Sequence, residues 1–315
     1  MRHERCSAFG SRYGRSGSLE GTMKRMSIAI LFLLGSSGVV LAHDLFLKLD
    51  IYALAPRARA RVWVFNGTFE QSEAAVARAR VVEITLLTPI GRQHVPVERW
   101  REVGARSLFE VETEEAGTYV AGVALAPREI TLTAEQFNAY LEHEGLSEML
   151  AWRRQKGELQ KGARERYAKY AKVIFQVGER RTDAFRQPLG YPVEIVLEEH
   201  PLDLQVGGVL RVRCLKDGRP LPQQVVFAGW EGAAPLRAQT DAEGIARFEI
   251  KRAGTWYVKF IHMVPVSDSH IEYQSWWATL TFEIAPGGDR KGSEGEEKST
   301  SHTPPMQLRS EPSQN

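Results

Sequence analysis

The amino-acid sequence predicts a mainly β protein in which two antiparallel β-sandwich modules, of immunoglobulin-like or transthyretin-like type, are joined by a helical insert. Short apolar runs separated by turn signals fill residues 60–125, and the same pattern returns over 192–284. No helical crossover pattern lies within either stretch, and such a succession of strands is typical of antiparallel sandwiches. The stretch between them carries helical spacing instead.

The segment 23–42 predicts a secretory leader. Two basic residues precede a short apolar run, and small residues follow up to Ala42. This three-part pattern is typical of a signal peptide, and the apolar run is too short to span a bilayer. We therefore expect residues 1–42 to be an N-terminal extension plus leader, and a mature periplasmic or secreted chain to begin with His43 without stable membrane insertion.

The N-terminal sandwich is expected over 43–130, with strands such as "ARVWVF" and "GTYVAGVAL". The C-terminal sandwich is expected over 179–285, where the turn Ala-Gly-Thr and its flanking strands repeat an arrangement found in the first module. The remaining segment, 286–315, has almost no apolar residues and is expected to be disordered.

The helical insert is expected over 131–178. Thr133 and Gln136 have capping-box spacing, and apolar residues then recur every three or four positions. A second helix is expected at about 147–155. The stretch 163–178 begins with helical spacing, and we expect it to finish as a strand.

Charge and cysteine usage exclude several classes of function. The full chain has a formal net charge of +2, and loss of the leader would remove six basic and two acidic side chains, which leaves −2. Such a mildly acidic chain gives no reason to expect nucleic acid as a partner. The mature chain would keep only Cys214, so an internal disulfide and a cysteine-based metal cluster are excluded. Its place in an apolar strand predicts a buried, inert thiol.

Histidine placement is the main chemical signal, since no phosphate loop or nucleophile elbow is present. A chain that begins at His43 offers its α-amine and Nδ1 to one metal ion. Further ligands are expected from the stretch 256–277, where His262 ends an aromatic strand and His270 follows in a loop. Imidazole suits nickel, cobalt, copper and zinc, whereas the thioether of Met263 favours reduced copper.

Plainer roles are open for the same residues. A terminal histidine can fray without binding anything, and His262 can simply hydrogen-bond to the backbone. The other mature histidines of the two modules and the insert lie in polar or loop contexts, and we expect His94, His143 and His200 to be solvated.

Several stretches, among them "AHDLFLK", "FNAYLEHEGLSE", "AGTWYVKFIHM" and "YQSWWATLTFEI", together resemble a bacterial family of exported proteins of unassigned function. That family is similar to periplasmic components of nickel and cobalt uptake transporters. The resemblance covers nearly all of 43–284 and implies a metal role for His43 in "AHD" and His262 in "IHM". It also implies an inner-membrane metal transporter as the partner. Relatives with a nickel-binding terminus carry the histidine after the first residue, whereas a histidine in first place favours a brace with a second imidazole.

We therefore expect an exported, non-enzymatic protein that binds a divalent transition metal, namely nickel, cobalt or copper, and acts with an uptake transporter. The amine and Nδ1 of His43 and one nitrogen of His262 would form the metal site, and Asp44 or His270 would complete it.

Two other classes of function remain open. In the first, the sandwiches form a non-catalytic interaction module that binds protein or glycan. In the second, the same two histidines form a copper oxidase of the histidine-brace type, with Tyr273 or Tyr257 as an axial aromatic ligand.

Overall fold

The computed structural model describes residues 43–286, so the predicted leader and nearly all of the predicted disordered tail lie outside the described residues. The strands are, in chain order, β1 (Asp44–Leu49), β2 (Ala53–Leu54), β3 (Arg59–Gly67), β4 (Val81–Thr88), β5 (Gly91–His94), β6 (Arg101–Val103), β7 (Arg106–Glu112), β8 (Gly117–Leu125), β9 (Arg128–Leu132), β10 (Ala163–Val177), β11 (Val193–Leu197), β12 (Val209–Lys216), β13 (Arg219–Pro220), β14 (Val225–Trp230), β15 (Leu236–Gln239), β16 (Ile245–Glu249), β17 (Gly254–Pro265) and β18 (Tyr273–Ile284). The α-helices are α1 (Ala134–His143) and α2 (Ser147–Gln155).

A central ten-stranded sheet organises the described part of the chain. Its strand order is β15-β14-β17-β18-β10-β8-β4-β5, and β2 and β9 also pair with β10. One four-stranded sheet, β1-β3-β7-β6, packs on one face of the central sheet. A second four-stranded sheet, made of β11, β12, β13 and β16, packs on the opposite face. The mainly β, sandwich-type fold predicted from the sequence is confirmed.

Alternating side chains of the central strands fill two different cores. In β10, Val173 and Phe175 enter the core shared with β1, β3 and β7, whereas Ile174 between them enters the core shared with β11, β12 and β16. This alternation follows from the period of two along a strand. The central sheet takes strands from both predicted modules and from the predicted insert, so the module bounds 43–130 and 179–285 remain predictions.

The helical start predicted for 163–178 was wrong, because the whole of Ala163–Val177 is strand β10. β10 runs parallel to β18, from Glu165 opposite Tyr273 to Val173 opposite Thr281. A strand that is covered on both faces needs no alternation of apolar and polar residues. Lys169 and Lys172 of β10 have partners inside the protein, so the intervals of three and four between Tyr167, Tyr170 and Ala171 did not mark one face of a helix.

The predicted capping box at the start of α1 is confirmed. Thr133 Oγ1 accepts a hydrogen bond from the Gln136 backbone N–H at 3.2 Å, and the Gln136 side chain accepts one from the Thr133 N–H at 3.1 Å. Gly145 follows the helix with φ +69°, a conformation that favours glycine. Within 43–286, neither helix is long and apolar enough to cross a bilayer.

Two further predictions had different outcomes. Cys214 is fully buried, and burial raises the pKa of its thiol, as expected for an inert cysteine. The prediction that His200 is solvated was wrong, since only 6% of its surface is exposed. Its Nδ1 accepts the Leu202 N–H at 3.1 Å, so Nε2 carries the proton and donates to Thr118 Oγ1 at 2.9 Å.

His200 should make the stability depend on pH. Burial, followed by the charge of Arg181, lowers the pKa of His200, so the unfolded chain binds the proton more readily than the folded chain. The stabilisation is complete above about pH 6.5 and declines as the pH falls towards the folded pKa, by at most about 1.4 kcal/mol per pH unit. We expect urea unfolding at pH 7.5 and pH 5.5 to show a smaller loss of stability in His200→Gln than in the wild type. His94→Gln, at a solvent-exposed histidine, should behave like the wild type, and an equal loss in all three proteins would contradict the prediction.

Candidate functional site

The start of β1 is held on the central sheet by its own apolar residues. Leu45, Leu47 and Leu49 enter the core, and β1 pairs with β3 so that Asp44 lies opposite Gly67. His43 immediately precedes this pairing, and its side chain is about one-third exposed. The position of His43 is therefore fixed by the strand that follows it.

Two buried lysines of the central sheet reach this strand start. Lys169 of β10 donates a hydrogen bond to the backbone oxygen of His43. Lys259 of β17 donates to Asp44 Oδ2 at 2.6 Å and to Glu144 Oε2 at 3.0 Å, the latter just after α1. The first two residues of the predicted mature chain are thus anchored by ammonium groups that belong to the sheet.

The exposed side of the strand start carries a carboxylate. Glu73 Oε2 lies 3.2 Å from His43 Nδ1, and both side chains are in contact with solvent. Glu73 follows β3, and the Glu73 N–H donates to the Asn66 backbone oxygen, which holds this segment beside β1. We call His43, Asp44, Glu73, Glu144, Lys169 and Lys259 the N-terminal cluster.

Burial shapes the ionisation of the N-terminal cluster. Burial alone would lower the pKa of Lys259, but the charges of Asp44 and Glu144 outweigh it and raise that pKa. Burial, and then the charge of Asp44, raises the pKa of Glu144. Burial lowers the pKa of Lys169 to about 8, with Asp44 opposing the shift. Lys259 therefore stays charged and compensates the two carboxylates beside it.

A second buried carboxylate lies deeper in the same region. Glu165 Oε1 accepts hydrogen bonds from the hydroxyls of Ser275 and of Tyr140, the latter at 3.2 Å. Burial raises the pKa of Glu165 to about 7, although these hydrogen bonds lower it. Glu165 is thus a buried polar group between α1 and the central sheet.

The structure does not bring His262 to His43, contrary to the predicted shared site. His262 and Lys259 are three residues apart on β17, which places their side chains on opposite faces and about 10 Å apart along the strand. His262 stacks on Trp276, with ring centroids 6.0 Å apart. Burial, and then the charge of Lys216, lowers the pKa of His262. A brace made of His43 and His262 is therefore not assembled.

The other predicted ligands also lie apart or are already engaged. The His270 N–H donates to Asp268 Oδ1 at 2.8 Å in the loop after β17, and the His270 side chain is exposed. This loop begins after Pro265, about 20 Å along the strand from Lys259. Asp44, by contrast, is adjacent to His43, but one of its carboxylate oxygens is bound to Lys259.

Neither predicted axial aromatic faces the start of β1 as an open ligand. Tyr273 is buried, and its hydroxyl accepts a hydrogen bond from Arg153 at 3.1 Å. Tyr257 packs against Phe46 and Phe69, with ring centroids 5.2 Å and 4.7 Å away. Both tyrosines therefore have packing roles.

The sequence interpretation missed Glu73, Glu144, Lys169 and Lys259. The two lysines left a usable signal, because each is a charged residue inside an apolar strand run, "YAKYAKVIF" and "WYVKFIH". Within 43–286, no group of three or more histidine, cysteine, aspartate or glutamate side chains is arranged around one point as a metal site. A metal at His43 therefore needs donors beyond side chains of these types.

The ion pairs of Lys259 should contribute strongly to stability. Replacing this lysine by methionine removes the ammonium that Asp44 and Glu144 both contact, with the Glu144 side chain only 4% exposed. Removing one partner of a buried ion pair costs about 3–5 kcal/mol. We expect Lys259→Met to lower the free energy of unfolding by that amount in chemical denaturation.

Lys48→Met is the matched control. Lys48 is also largely buried, with 17% of its side chain exposed, but its carboxylate partner Glu231 lies 4.0 Å away and is 70% exposed. Lys48→Met should lower the free energy of unfolding by about 1 kcal/mol. Equal losses in the two variants would show that the Lys259 pairs have no special role.

Comparisons with known proteins give one informative result. No curated protein matches this chain. Among solved structures, the D0-D1 domain of intimin is similar at 11% identity over 76% of this chain and 97% of that chain, with a TM-score of 0.20. Murine CEACAM1b is similar at 8% identity over 78% of this chain and 99% of that chain, with a TM-score of 0.17. TM-scores this low carry no argument about function.

A family model described as "Domain of unknown function (DUF4198)" matches residues 40–264. The matched stretch contains His43, the rest of the N-terminal cluster and His262. Since it spans well over half of the sequence, the chain belongs to the DUF4198 family.

Proposed function

We propose that this chain is an exported protein that binds a divalent transition metal at a mature N-terminus formed by His43. The observation that carries the proposal is the 3.2 Å separation between His43 Nδ1 and Glu73 Oε2. Nitrogen and oxygen ligands lie about 2.0–2.2 Å from zinc, so two neighbouring ligands of one such ion are roughly 3 Å apart. The two atoms thus have the spacing of adjacent ligands.

Leader cleavage after Ala42 would supply a third donor. The free α-amine of His43 would lie on the same residue as Nδ1, so both could bind one ion together. Lys169 and Lys259 anchor His43 O and Asp44, which limits the motion of this terminus. In this proposal Glu73, and not His262, is the side-chain ligand that binds the metal together with His43.

Solvent rather than Asp44 completes the proposed site. Asp44 is paired with the buried ammonium of Lys259, and its release would leave that charge less well compensated. Water in the remaining positions leaves the ion open to exchange, as a carrier requires. A nitrogen-rich donor set with one carboxylate suits nickel, cobalt, copper and zinc, with copper binding most tightly among them.

The partner in this proposal is an inner-membrane metal uptake transporter. Support for it comes from the resemblance of the chain to periplasmic components of nickel and cobalt transporters. The role is one of binding and delivery, with no catalytic step.

The direct test is metal titration of the exported protein after intact mass has confirmed that it begins at His43. Nickel, cobalt, copper and zinc are titrated into the wild type, His43→Ala and Glu73→Gln. We expect one ion per chain, and at least a tenfold loss of affinity in each variant, which is about 1.4 kcal/mol.

Two controls sharpen this experiment. A protein with one extra glycine before His43 keeps every side chain but moves the amine, so it should also lose affinity. His262→Ala should bind like the wild type, because His262 lies on the opposite face of the sheet. Absence of metal binding in a protein that begins at His43 would contradict the proposal. It would favour the alternative of a non-catalytic interaction module that binds protein or glycan.

A further inference from the structure

The sheet β1-β3-β7-β6 has one face on the central sheet and one face turned away from it. Alternate residues of its strands, such as Val64 and Phe109, enter the core, so the residues between them face outwards. Strand pairing places these outward residues side by side, with Trp63 of β3 opposite Leu108 of β7. We call the outward, solvent-facing side of β3, β6 and β7 the outer sheet face.

Apolar side chains occupy the centre of the outer sheet face. Trp63, Phe65 and Leu108 are half-buried there, and Val103 of the edge strand β6 is 45% exposed. Val103 pairs with Arg106 of β7, so β6 continues the same surface. The solvent side of an antiparallel sheet is ordinarily polar, and contiguous apolar side chains with a polar rim mark interaction sites.

Positive charge surrounds this apolar centre. The outer sheet face and the residues at its border carry five arginines and three carboxylates, a formal charge of +2, whereas the predicted mature chain carries −2. The carboxylates of Asp50, Glu110 and Glu112 lie 3.6–3.9 Å from Arg59 or Arg61. In the part of the chain that the structure describes, three arginines have no carboxylate partner, namely Arg99, Arg101 and Arg106. Their charge can be compensated by an anionic partner.

Arg106 is already oriented for such a partner. Its guanidinium lies 4.3 Å from the centroid of the Trp63 ring and 5.8 Å from that of Phe65. Among residues 43–286 this guanidinium makes no hydrogen bond. Stacking on an aromatic ring fixes the plane of a guanidinium and leaves its N–H edges free to bind a carboxylate through two hydrogen bonds.

A cavity of about 210 Å³ opens on the same surface. It is lined by three arginines, one leucine and two glutamates, namely Arg59, Arg99, Arg101, Leu108, Glu110 and Glu112. Arg101 lies opposite Leu108 on the neighbouring strand, so the cavity joins the apolar centre to the arginines without a partner. Because Arg59 is close to both glutamates, Arg99 and Arg101 are the cations that an entering carboxylate would meet.

We propose that the outer sheet face binds an acidic segment of a partner protein. Carboxylates of that segment bind Arg99, Arg101 and Arg106, and its apolar side chains cover Trp63 and Val103. Tryptophan and arginine are the residue types that most often dominate protein interfaces. The proposal uses no residue of the N-terminal cluster, so it does not depend on a metal at His43.

Other occupants fit this surface less well. Residues that anchor a protein in a bilayer interface project into it, whereas Trp63 and Phe65 lie half-buried on the sheet. A sugar ring would stack on an open aromatic face, but Arg106 already lies over Trp63. A partner with both carboxylates and apolar side chains matches the arginines and the apolar centre together.

The test is an NMR titration of the isotope-labelled exported protein with a short synthetic peptide rich in glutamate and leucine. We expect the indole signal of Trp63 and the amide signals of 101–108 to shift, with an affinity that falls as salt screens the charges. Arg101→Gln and Arg106→Gln should each weaken binding about fivefold, the effect of losing one exposed ion pair. The matched control is Arg166→Gln, which removes an arginine of β10 that is paired with Glu129 and should bind like the wild type. Thermal unfolding of each variant separates loss of contact from misfolding.

Three further probes distinguish the possible partners. A peptide with lysine in place of glutamate should not bind, and one with serine in place of leucine should bind more weakly. Vesicles of phosphatidylglycerol should leave the Trp63 signal unchanged. An unshifted Trp63 signal with the glutamate and leucine peptide, equal affinity for the serine peptide, or tighter binding to the vesicles would each overturn the proposal. His43→Ala should bind the peptide like the wild type, so failure of the metal site would leave this result unaffected.

Discussion

The charge of Lys259 is the constraint around which this part of the protein is arranged. Its ammonium is nearly buried in the central sheet, and a buried ammonium is tolerated only with compensating charge and hydrogen bonds. Asp44 from β1 and Glu144 from the end of α1 supply both. One interaction thus joins the first strand, the helical segment and the central sheet, and it sets the position of the residue just before Asp44.

Local sequence signals predicted the local structure well. The capping box of Thr133 and Gln136 begins α1 as expected, and the strand and turn pattern gives the sandwich-type fold. The first part of β10 was missed because its polar positions, Lys169 and Lys172, are buried against partners outside the strand, namely His43 O and Glu194. Helical spacing is a local property, whereas the pairing of β10 with β18 depends on residues more than one hundred positions later.

The candidate site could be predicted only in part, for the same reason. His43 follows from the leader pattern, but Glu73 lies thirty residues on, in an irregular segment, and nothing in the sequence places it beside β1. His262 was paired with His43 because a metal-binding terminus needs further ligands, the stretch 256–277 offers them, and the family resemblance implies a metal role for both histidines. Side chains alternate between the two faces of the sheet along β17, so Lys259 and His262 point to opposite faces. The sequence alone would have shown this separation if Lys259 had been recognised as an inward-facing residue.

The shared central sheet has a consequence for how such a chain can evolve. Each outer sheet covers one face of the same strands, and Val173 and Ile174, neighbours on β10, belong to different cores. Both sandwiches use the central sheet as one of their two layers, so neither can be separated from the other. A shorter chain that lacked one outer sheet would expose an apolar face of the central sheet. Lineages that reuse this architecture are therefore expected to inherit it whole, with variation confined to loops and edge strands.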